Sequence, residues 1–282
     1  MTELISFPKR LRTEMSALVS LAIPVALAQV LAAAAGLVDT LMAGRAGVND
    51  LAGVSLGSAI WLTLTISVMG LLMAVNPIVA HYIGAGKYNH VSRFMHQSVR
   101  VAVYASIGLF IVIRLHPSWL PLLVEDQHVL RVTGGYLDGF SWGIPALVGT
   151  FLLRSYSEGL SFTRAHLVAS VVSLAVNIPA NYALIFGHWG APELGGAGAG
   201  WATALAFWCA FLVMTWYSRY HPAYASAPIW RSWSSSDRTE RNHLLKLGLP
   251  IALTLFVEVS IFSLIALFLG SRPASEIAAN QI

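Results

Sequence analysis

The stretch LVSLAIPVALAQVLAAAAGLVDTLMAG, Leu18–Gly44, decides the fold of this chain. It is long enough to cross a bilayer as a helix, which takes about 20 apolar residues. Its one ionisable side chain is Asp39. A carboxylate in hydrocarbon costs at least about 2.5 kcal/mol on insertion scales, so such a group is retained for a partner or a function. We therefore expect the chain to move a solute across a membrane, with Asp39 taking part.

The composition sets the class of protein. The chain has 282 residues, of which 56% are hydrophobic and 11% are charged, which excludes disorder and an ordinary soluble domain. The apolar residues fall in long runs, without the alternation of an outer-membrane barrel. The prediction is an all-α polytopic membrane protein. The net charge of +4 does not indicate nucleic-acid binding, because the basic residues lie between the apolar runs.

The apolar runs predict seven membrane-spanning helices, with boundaries good to about four residues. The predicted spans are 16–43, 51–77, 92–113, 129–153, 164–187, 197–218 and 245–269. The basic residues before the first run resemble a signal peptide, but the run is too long for one, and we interpret it as the first span.

The distribution of Lys and Arg predicts the orientation. Thirteen of the 17 basic residues fall at the N-terminus and in alternate loops on the same side. This side is expected to be cytoplasmic, as is the N-terminus. The loops near 44–50, 114–128 and 188–196 are then expected to face outward.

A polar segment and an internal repeat predict two halves. Residues 219–244 are rich in Ser, Pro and charged residues and show no helix pattern, so we interpret them as a cytoplasmic linker. The linker would join an N-terminal lobe at 1–218 to the start of a second lobe at 245–282. At an offset of 226 residues the first span matches the seventh, although chance similarity of two apolar helices remains an alternative. The matched pairs are Leu18 with Leu244, Leu21 with Leu247, Pro24 with Pro250, Ala26 with Ala252, Leu27 with Leu253 and Gly44 with Gly270. The offset predicts a parent chain of about 450 residues built from parallel repeats.

Four polar residues on three spans are expected at similar depth in the outer half of the membrane. Asp39 is near the outer end of the first span, Asn177 and Asn181 share one face of the fifth, and Thr203 is near the outer end of the sixth. Oxygen ligands of this kind suit a hard cation such as Na⁺, and the carboxyl group alone would suit a proton. The alternative is that the two amides only make hydrogen bonds between helices.

Further polar and kinked positions accompany this group. Pro179 lies between the two asparagines and releases a backbone carbonyl, while Pro24 and Pro250 are predicted to kink equivalent helices. Glu258 is a second carboxylate near the middle of the seventh span, and we expect it to be buried against a cavity or partner. Gln29 is a candidate for the same cavity as Asp39.

The sequence shows no enzyme motif. LGGAGAG at 194–200 lacks the Lys-Ser/Thr of a phosphate-binding loop, and its small residues are better explained by close helix approach. The G-x-S-x-G and H-E-x-x-H motifs are absent, and the histidines lack metal-ligand spacing.

The chain resembles the multidrug and toxic compound extrusion (MATE) transporters, in their bacterial NorM-like branch. The similarity extends over all 282 residues, and VDT-x-MAG and N-x-P-x-N-Y are its more specific motifs. The segments that carry it are LAIPVALAQ, GLVDTLMAG and DLAGVSLGS within 21–58, MAVNPIVA and GAGK within 73–87, VNIPANYALIFG at 176–187, LGGAGAGWAT at 194–203 and KLGLPIALTLFVEVSIFS at 246–263.

The resemblance implies a twelve-helix fold with two six-helix lobes around a central cavity. This chain would supply the N-terminal lobe, the seventh helix and the start of the eighth, as a truncated form of the parent. The resemblance also implies a monomer in the bacterial inner membrane, in contact with lipid. Such a protein would export cationic small molecules and would need no cofactor beyond the coupling ion, Na⁺ or H⁺. Asp39, the Asn177–Asn181 pair and Glu258 match coupling positions of the family, although some members carry an acidic residue in place of Asn181.

Three alternatives to drug export stay open. A lipid-linked oligosaccharide flippase of the same superfamily would need cationic side chains in its cavity, whereas the ionisable groups identified at membrane depth are acidic. A membrane-embedded transferase should show His, Asp or Arg clusters at one interface, and none is evident. The third alternative is a truncated chain that does not transport.

Overall fold

The chain is predominantly helical in the part that the structure describes. The structure is a computed structural model that describes the backbone of residues 2–230 and 237–270 and the side chains of 14–16, 18–230 and 237–261. In these ranges the α-helices are α1 (Thr2–Ala46), α2 (Val48–Met73), α3 (Val75–Gly84), α4 (Tyr88–Arg114), α5 (His116–Trp119), α6 (Gln127–Ser141), α7 (Ile144–Gly159), α8 (Arg164–Phe186), α9 (Ala197–Tyr220) and α10 (Arg238–Gly270). The all-α prediction is confirmed. The expected start of an eighth span lies outside the described residues.

Six helical runs in these ranges are long and apolar enough to cross a membrane. They are α1, α2 together with α3, α4, α8, α9 and α10. The prediction of one continuous helix over 129–153 is wrong, because α6 and α7 are separate helices. Pro145 lies in the first turn of α7, where it removes an N–H donor and clashes with the preceding turn, so the helix breaks at Trp142 and Gly143. The predicted end of the second span at 77 is also wrong, since α3 continues to Gly84.

Helix α9 is the centre of the bundle. It packs against α6, α7 and α8, while α1 packs on α8 and α2, and α10 packs on α2 and α4. A Cβ atom at Gly200 would lie 2.1 Å from the carbonyl oxygen of Tyr136, and one at Gly198 would lie 2.6 Å from that of Leu184. The small residues of 194–200 therefore permit close helix approach, as predicted.

The segment 221–230 after α9 packs against the bundle. Tyr156 donates a hydrogen bond from its hydroxyl to the carbonyl of Ala227 at 2.5 Å, and Ser92 donates to the carbonyl of Pro228 at 2.9 Å. Side chains of α4 and α7 thus satisfy the irregular backbone of this segment. The first part of the predicted linker is a partly buried strap on the helical bundle, and residues 231–236 lie outside the described part of the chain.

Helix α10 begins inside the predicted linker. Asp237 accepts hydrogen bonds from the backbone N–H groups of Thr239 at 2.9 Å and Glu240 at 3.3 Å, and so caps the helix that starts at Arg238. The prediction that the linker lacks helix as far as residue 244 is therefore wrong. The signal was present in the sequence, because an Asp followed three residues later by Glu has the spacing of a capping box.

Candidate functional site

Asp39 is the centre of a hydrogen-bonded cluster between α1, α8 and α9. Its carboxylate is 8% exposed. Asn177 and Asn181 donate from Nδ2 to Asp39 Oδ1 at 3.1 and 2.5 Å, and Thr203 donates from its hydroxyl to Asp39 Oδ2 at 3.0 Å. The four residues predicted to lie at one depth are therefore in direct contact. Ion binding by these four residues stays a prediction.

The positions of these side chains follow from local structure. Asn177 and Asn181 are one helical turn apart in α8, and both are buried because this face of α8 meets α1 and α9. Pro179 lies between them inside α8 and leaves the carbonyl of Ala175 without its usual N–H partner. The close packing of the glycine-rich start of α9 brings Thr203 within reach of α1.

One oxygen in the cluster has no partner. Asn181 Oδ1 is buried and makes no hydrogen bond, whereas Asn177 Oδ1 accepts from Asn181 Nδ2 at 3.1 Å. A buried polar atom without a partner calls for an explanation such as a water or an ion. The oxygens of Asp39, Thr203 and the two amides form a donor set that suits Na⁺, and the carboxylate alone suits a proton.

An aromatic pair next to the cluster was missed from the sequence. Tyr136 on α6 is 1% exposed, and its hydroxyl accepts a hydrogen bond from Trp61 Nε1 at 3.0 Å. Tyr136 is close enough to Asp39 for the two groups to interact electrostatically. A buried Tyr usually needs a polar partner, but the sequence alone did not say which helix would supply it.

The structure does not bring the other two predicted polar residues into the cluster. Glu258 is exposed on α10 in the described chain, and the partner expected for it is not among the described helices, so its burial stays a prediction. The side chain is exposed here because α10 packs on α2 through Gly248 and Ala252, earlier in the helix than Glu258. Gln29 is also exposed, and its Oε1 accepts from Arg154 Nη1 at 3.2 Å instead of facing Asp39.

The contact of Gln29 belongs to a second polar network, which was also missed. Arg154 Nε donates to Glu158 Oε1 at 2.8 Å, and Asn76 Nδ2 donates to Glu158 Oε2 at 3.2 Å. The two charged side chains are only 17% and 19% exposed. The spacing of Arg154 and Glu158, four residues apart, was a usable signal. The predicted end of the fourth span at 153 places Arg154 in a loop, whereas α7 continues to Gly159.

The three prolines lie inside helices. Pro24 is buried in α1, and Pro179 and Pro250 are internal to α8 and α10. Their predicted role as kinks stays a prediction.

Comparison with known proteins identifies relatives over almost the whole chain. The model of the MatE family matches residues 24–183, which is more than half of the chain. The chain is 40% identical over 265 residues to the probable multidrug resistance protein NorM of Shewanella oneidensis, covering 94% of this chain and 58% of that protein. It is 36% identical over 274 residues to the multidrug resistance protein PmpM of Pseudomonas aeruginosa, covering 97% and 57%. The chain thus spans about three fifths of the length of these curated relatives.

Solved structures show the same fold. The eukaryotic MATE transporter AtDTX14 superposes with a TM-score of 0.78 at 19% identity, over 93% of this chain and 57% of that chain. At this identity the likeness is evidence for the fold alone.

Proposed function

The chain belongs to the MatE family of multidrug and toxic compound extrusion transporters, and from this premise we propose that it supplies the first lobe of a cation-coupled drug antiporter. The exported compounds are cationic and amphiphilic, and the coupling ion is Na⁺ or H⁺. The names of the relatives, multidrug resistance proteins, support the proposal. Because the chain spans only part of their length, the activity of a whole exporter is itself part of the proposal.

The observation that carries the proposal is the buried carboxylate of Asp39. A negative charge in a low-dielectric bundle attracts any small cation, so Na⁺, a proton and a positively charged drug compete for it. The ion and the drug each favour a different conformation of the transporter, inward-facing or outward-facing. Their competition for one carboxylate then couples inward ion flow to outward drug flow. In this proposal Glu258, exposed on α10, contributes a second carboxylate to the other lobe.

The proposed location is the bacterial inner membrane with a cytoplasmic N-terminus. The excess of Lys and Arg at the N-terminus and in alternate loops supports this orientation. A reporter active only in the periplasm, fused after His188, should be active, and the same reporter fused after Tyr88 should be silent. The reverse pattern would overturn the orientation.

The test of the antiport compares two aspartates. The chain is expressed in bacteria that lack their own drug exporters, and efflux of a cationic fluorescent dye is followed with and without an imposed Na⁺ or pH gradient. Asp39→Asn should abolish gradient-dependent efflux without changing the amount of protein in the membrane. Asp138→Asn is the matched control, because Asp138 is half-exposed and pairs with Arg114 away from the cluster.

Each result bears on a defined alternative. Efflux by Asp39→Asn at the wild-type rate would overturn the proposal. Absence of efflux by the wild-type chain would favour the non-transporting alternative. The flippase alternative requires a phosphate-binding cavity, but Arg154, a partly buried basic side chain of the described bundle, is already neutralised by Glu158 at 2.8 Å. The carboxylate at Asp39 therefore favours cationic cargo.

A further inference from the structure

Helix α1 carries Asp39 and packs on α8 and α2 at the edge of the described bundle. Only 11% of its most apolar stretch is buried, against 50% for α9. For a helix at the edge of a bundle, directional polar contacts add to side-chain packing in fixing its position. Asp39 supplies one such contact near the outer end of α1, where α8 and α9 hold its carboxylate.

Gln29 supplies a second contact near the middle of the spanning part of the same helix. It lies ten residues before Asp39, or about 15 Å along the axis. Its Oε1 accepts a hydrogen bond from Arg154 Nη1 of α7 at 3.2 Å. Helix α7 is not among the main packing neighbours of α1, which are α8 and α2. The Arg154 side chain therefore bridges two helices that barely pack on one another.

The guanidinium group of Arg154 is held in one orientation. Its Nε is bound to Glu158 Oε1 on the next turn of α7, and Glu158 Oε2 is bound to Asn76 on α3. Since the ion pair with Glu158 already neutralises the charge, the bond to Gln29 is not needed for that purpose. A fixed, charged donor makes a stronger and more directional hydrogen bond than a mobile one.

We propose that Arg154 is a positioning residue that holds the middle of α1 near α7 through Gln29. The position of the helix that carries the coupling carboxylate is then determined by two polar contacts, one towards the C-terminal end of its spanning part at Asp39 and one near the middle at Gln29. The contact at Gln29 must break whenever α1 separates from α7. The role of this contact in transport rests on the proposed function, whereas the contact itself does not.

The test measures the position of α1 directly, without ion or drug. Spin labels are placed on Cys residues introduced at Leu27 of α1 and Tyr88 of α4, which are 49% and 44% exposed, in a Cys209→Ser background in lipid nanodiscs. Double electron–electron resonance gives the distribution of distances between the labels. Gln29→Leu should broaden this distribution and raise the population of displaced α1 by about three- to tenfold, as loss of one interhelical hydrogen bond to a charged group predicts.

Three further variants separate a specific contact from general loosening. Gln29→Glu keeps an acceptor opposite Arg154 and should preserve the narrow distribution. Arg154→Leu should broaden it, and the double variant with Gln29→Leu should broaden it no further than the larger single effect. If Arg154→Leu fails to fold because it leaves Glu158 unpaired, the two Gln29 variants alone decide.

The outcomes are distinguishable from those of the antiport test. An unchanged distribution in Gln29→Leu, or equal broadening in Gln29→Glu, would overturn the positioning role of Arg154 and leave the Asp39 proposal intact. Conversely, Asp39→Asn without loss of efflux would overturn the antiport, while the effect of Gln29→Leu on α1 would still be measurable.

Discussion

Thr203 donates its hydroxyl hydrogen to Asp39 Oδ2 over 3.0 Å, although 164 residues separate the two along the chain. The bond joins the C-terminal part of α1 to the N-terminal part of α9, and it engages the carboxylate oxygen that neither asparagine contacts. One carboxylate thus has both oxygens held by neighbouring helices. This arrangement makes each partner of Asp39 separately testable.

Substitution of Thr203 should weaken cation binding at Asp39 without abolishing it. Thr203→Val removes one hydroxyl from a site of at least three other polar groups, so a loss of about 1 kcal/mol, or about fivefold in affinity, is expected. Thr203→Ser retains the hydroxyl and should bind as the wild type does. Isothermal titration of the purified protein with Na⁺, and proton release on its addition, measure the effect. Equal affinities in Val and Ser variants would contradict a role for the hydroxyl.

The contact between α9 and α6 should not tolerate a methyl group at Gly200. A Cβ atom there would lie 2.1 Å from the carbonyl oxygen of Tyr136, so Gly200→Ala forces the helices apart at a cost of about 1–3 kcal/mol. Gly108→Ala is the control, because a Cβ at Gly108 in α4 meets nothing within 4 Å. Thermal unfolding in detergent should show a lower midpoint for the first variant only. A lower midpoint in both would point to a general effect of added Cβ atoms.

The segment 221–230 should open when its anchor is removed. Tyr156→Phe leaves the buried carbonyl of Ala227 without its donor, which costs about 1 kcal/mol or more. Amide hydrogen exchange of peptides from this segment should become about fivefold faster, as local opening becomes easier. Tyr220→Phe serves as the control, since Tyr220 is 66% exposed. Unchanged exchange in Tyr156→Phe would show that other contacts hold the segment.

Acid should weaken the start of α6 through Asp126. Its Oδ1 accepts the backbone N–H groups of Val129 at 3.0 Å and His128 at 2.7 Å, which hold the pKa of this carboxyl below its ordinary value of 3.8. Because the folded-state pKa is lowered, the stabilisation is complete above pH 3.8 and is lost as the pH falls through the lowered value. Asp126→Asn keeps a capping side chain that does not titrate. When the pH falls below the lowered pKa of Asp126, the thermal unfolding midpoint of Asp126→Asn should therefore decrease less than that of the wild type. An identical loss of stability with acid in both proteins would refute the role of Asp126 as a titrating cap.

The candidate site was predictable because its polar side chains carry a free-energy cost when they are placed within an apolar membrane segment. Asp39, Asn177, Asn181 and Thr203 each interrupt an apolar run, and the Lys and Arg distribution was enough to place them at one depth. The same reasoning failed for Gln29. Depth along a helix does not specify the direction of a side chain around the axis, and Gln29 points to Arg154 on α7.

The remaining differences also come from packing. The break between α6 and α7 and the start of α10 depended on local signals, Pro145 and the Asp237 cap, which were present in the sequence but not used. The exposure of Glu258 depends on where α10 meets α2, and no local signal reports that contact.

By itself the sequence determined that this is a helical membrane protein, that it contains several segments long and apolar enough to cross a bilayer, and that four polar residues on three of these segments belong together. These properties follow from the free energy of transferring each side chain into hydrocarbon, which is a property of the residue and its neighbours in the chain. Only the tertiary structure decided that Asp39 is bound by two amides and a hydroxyl, that Arg154 reaches α1, and that the segment 221–230 packs against the bundle. Those contacts depend on how each helix is rotated about its axis and how closely helices approach, and both are set by the fit of distant surfaces.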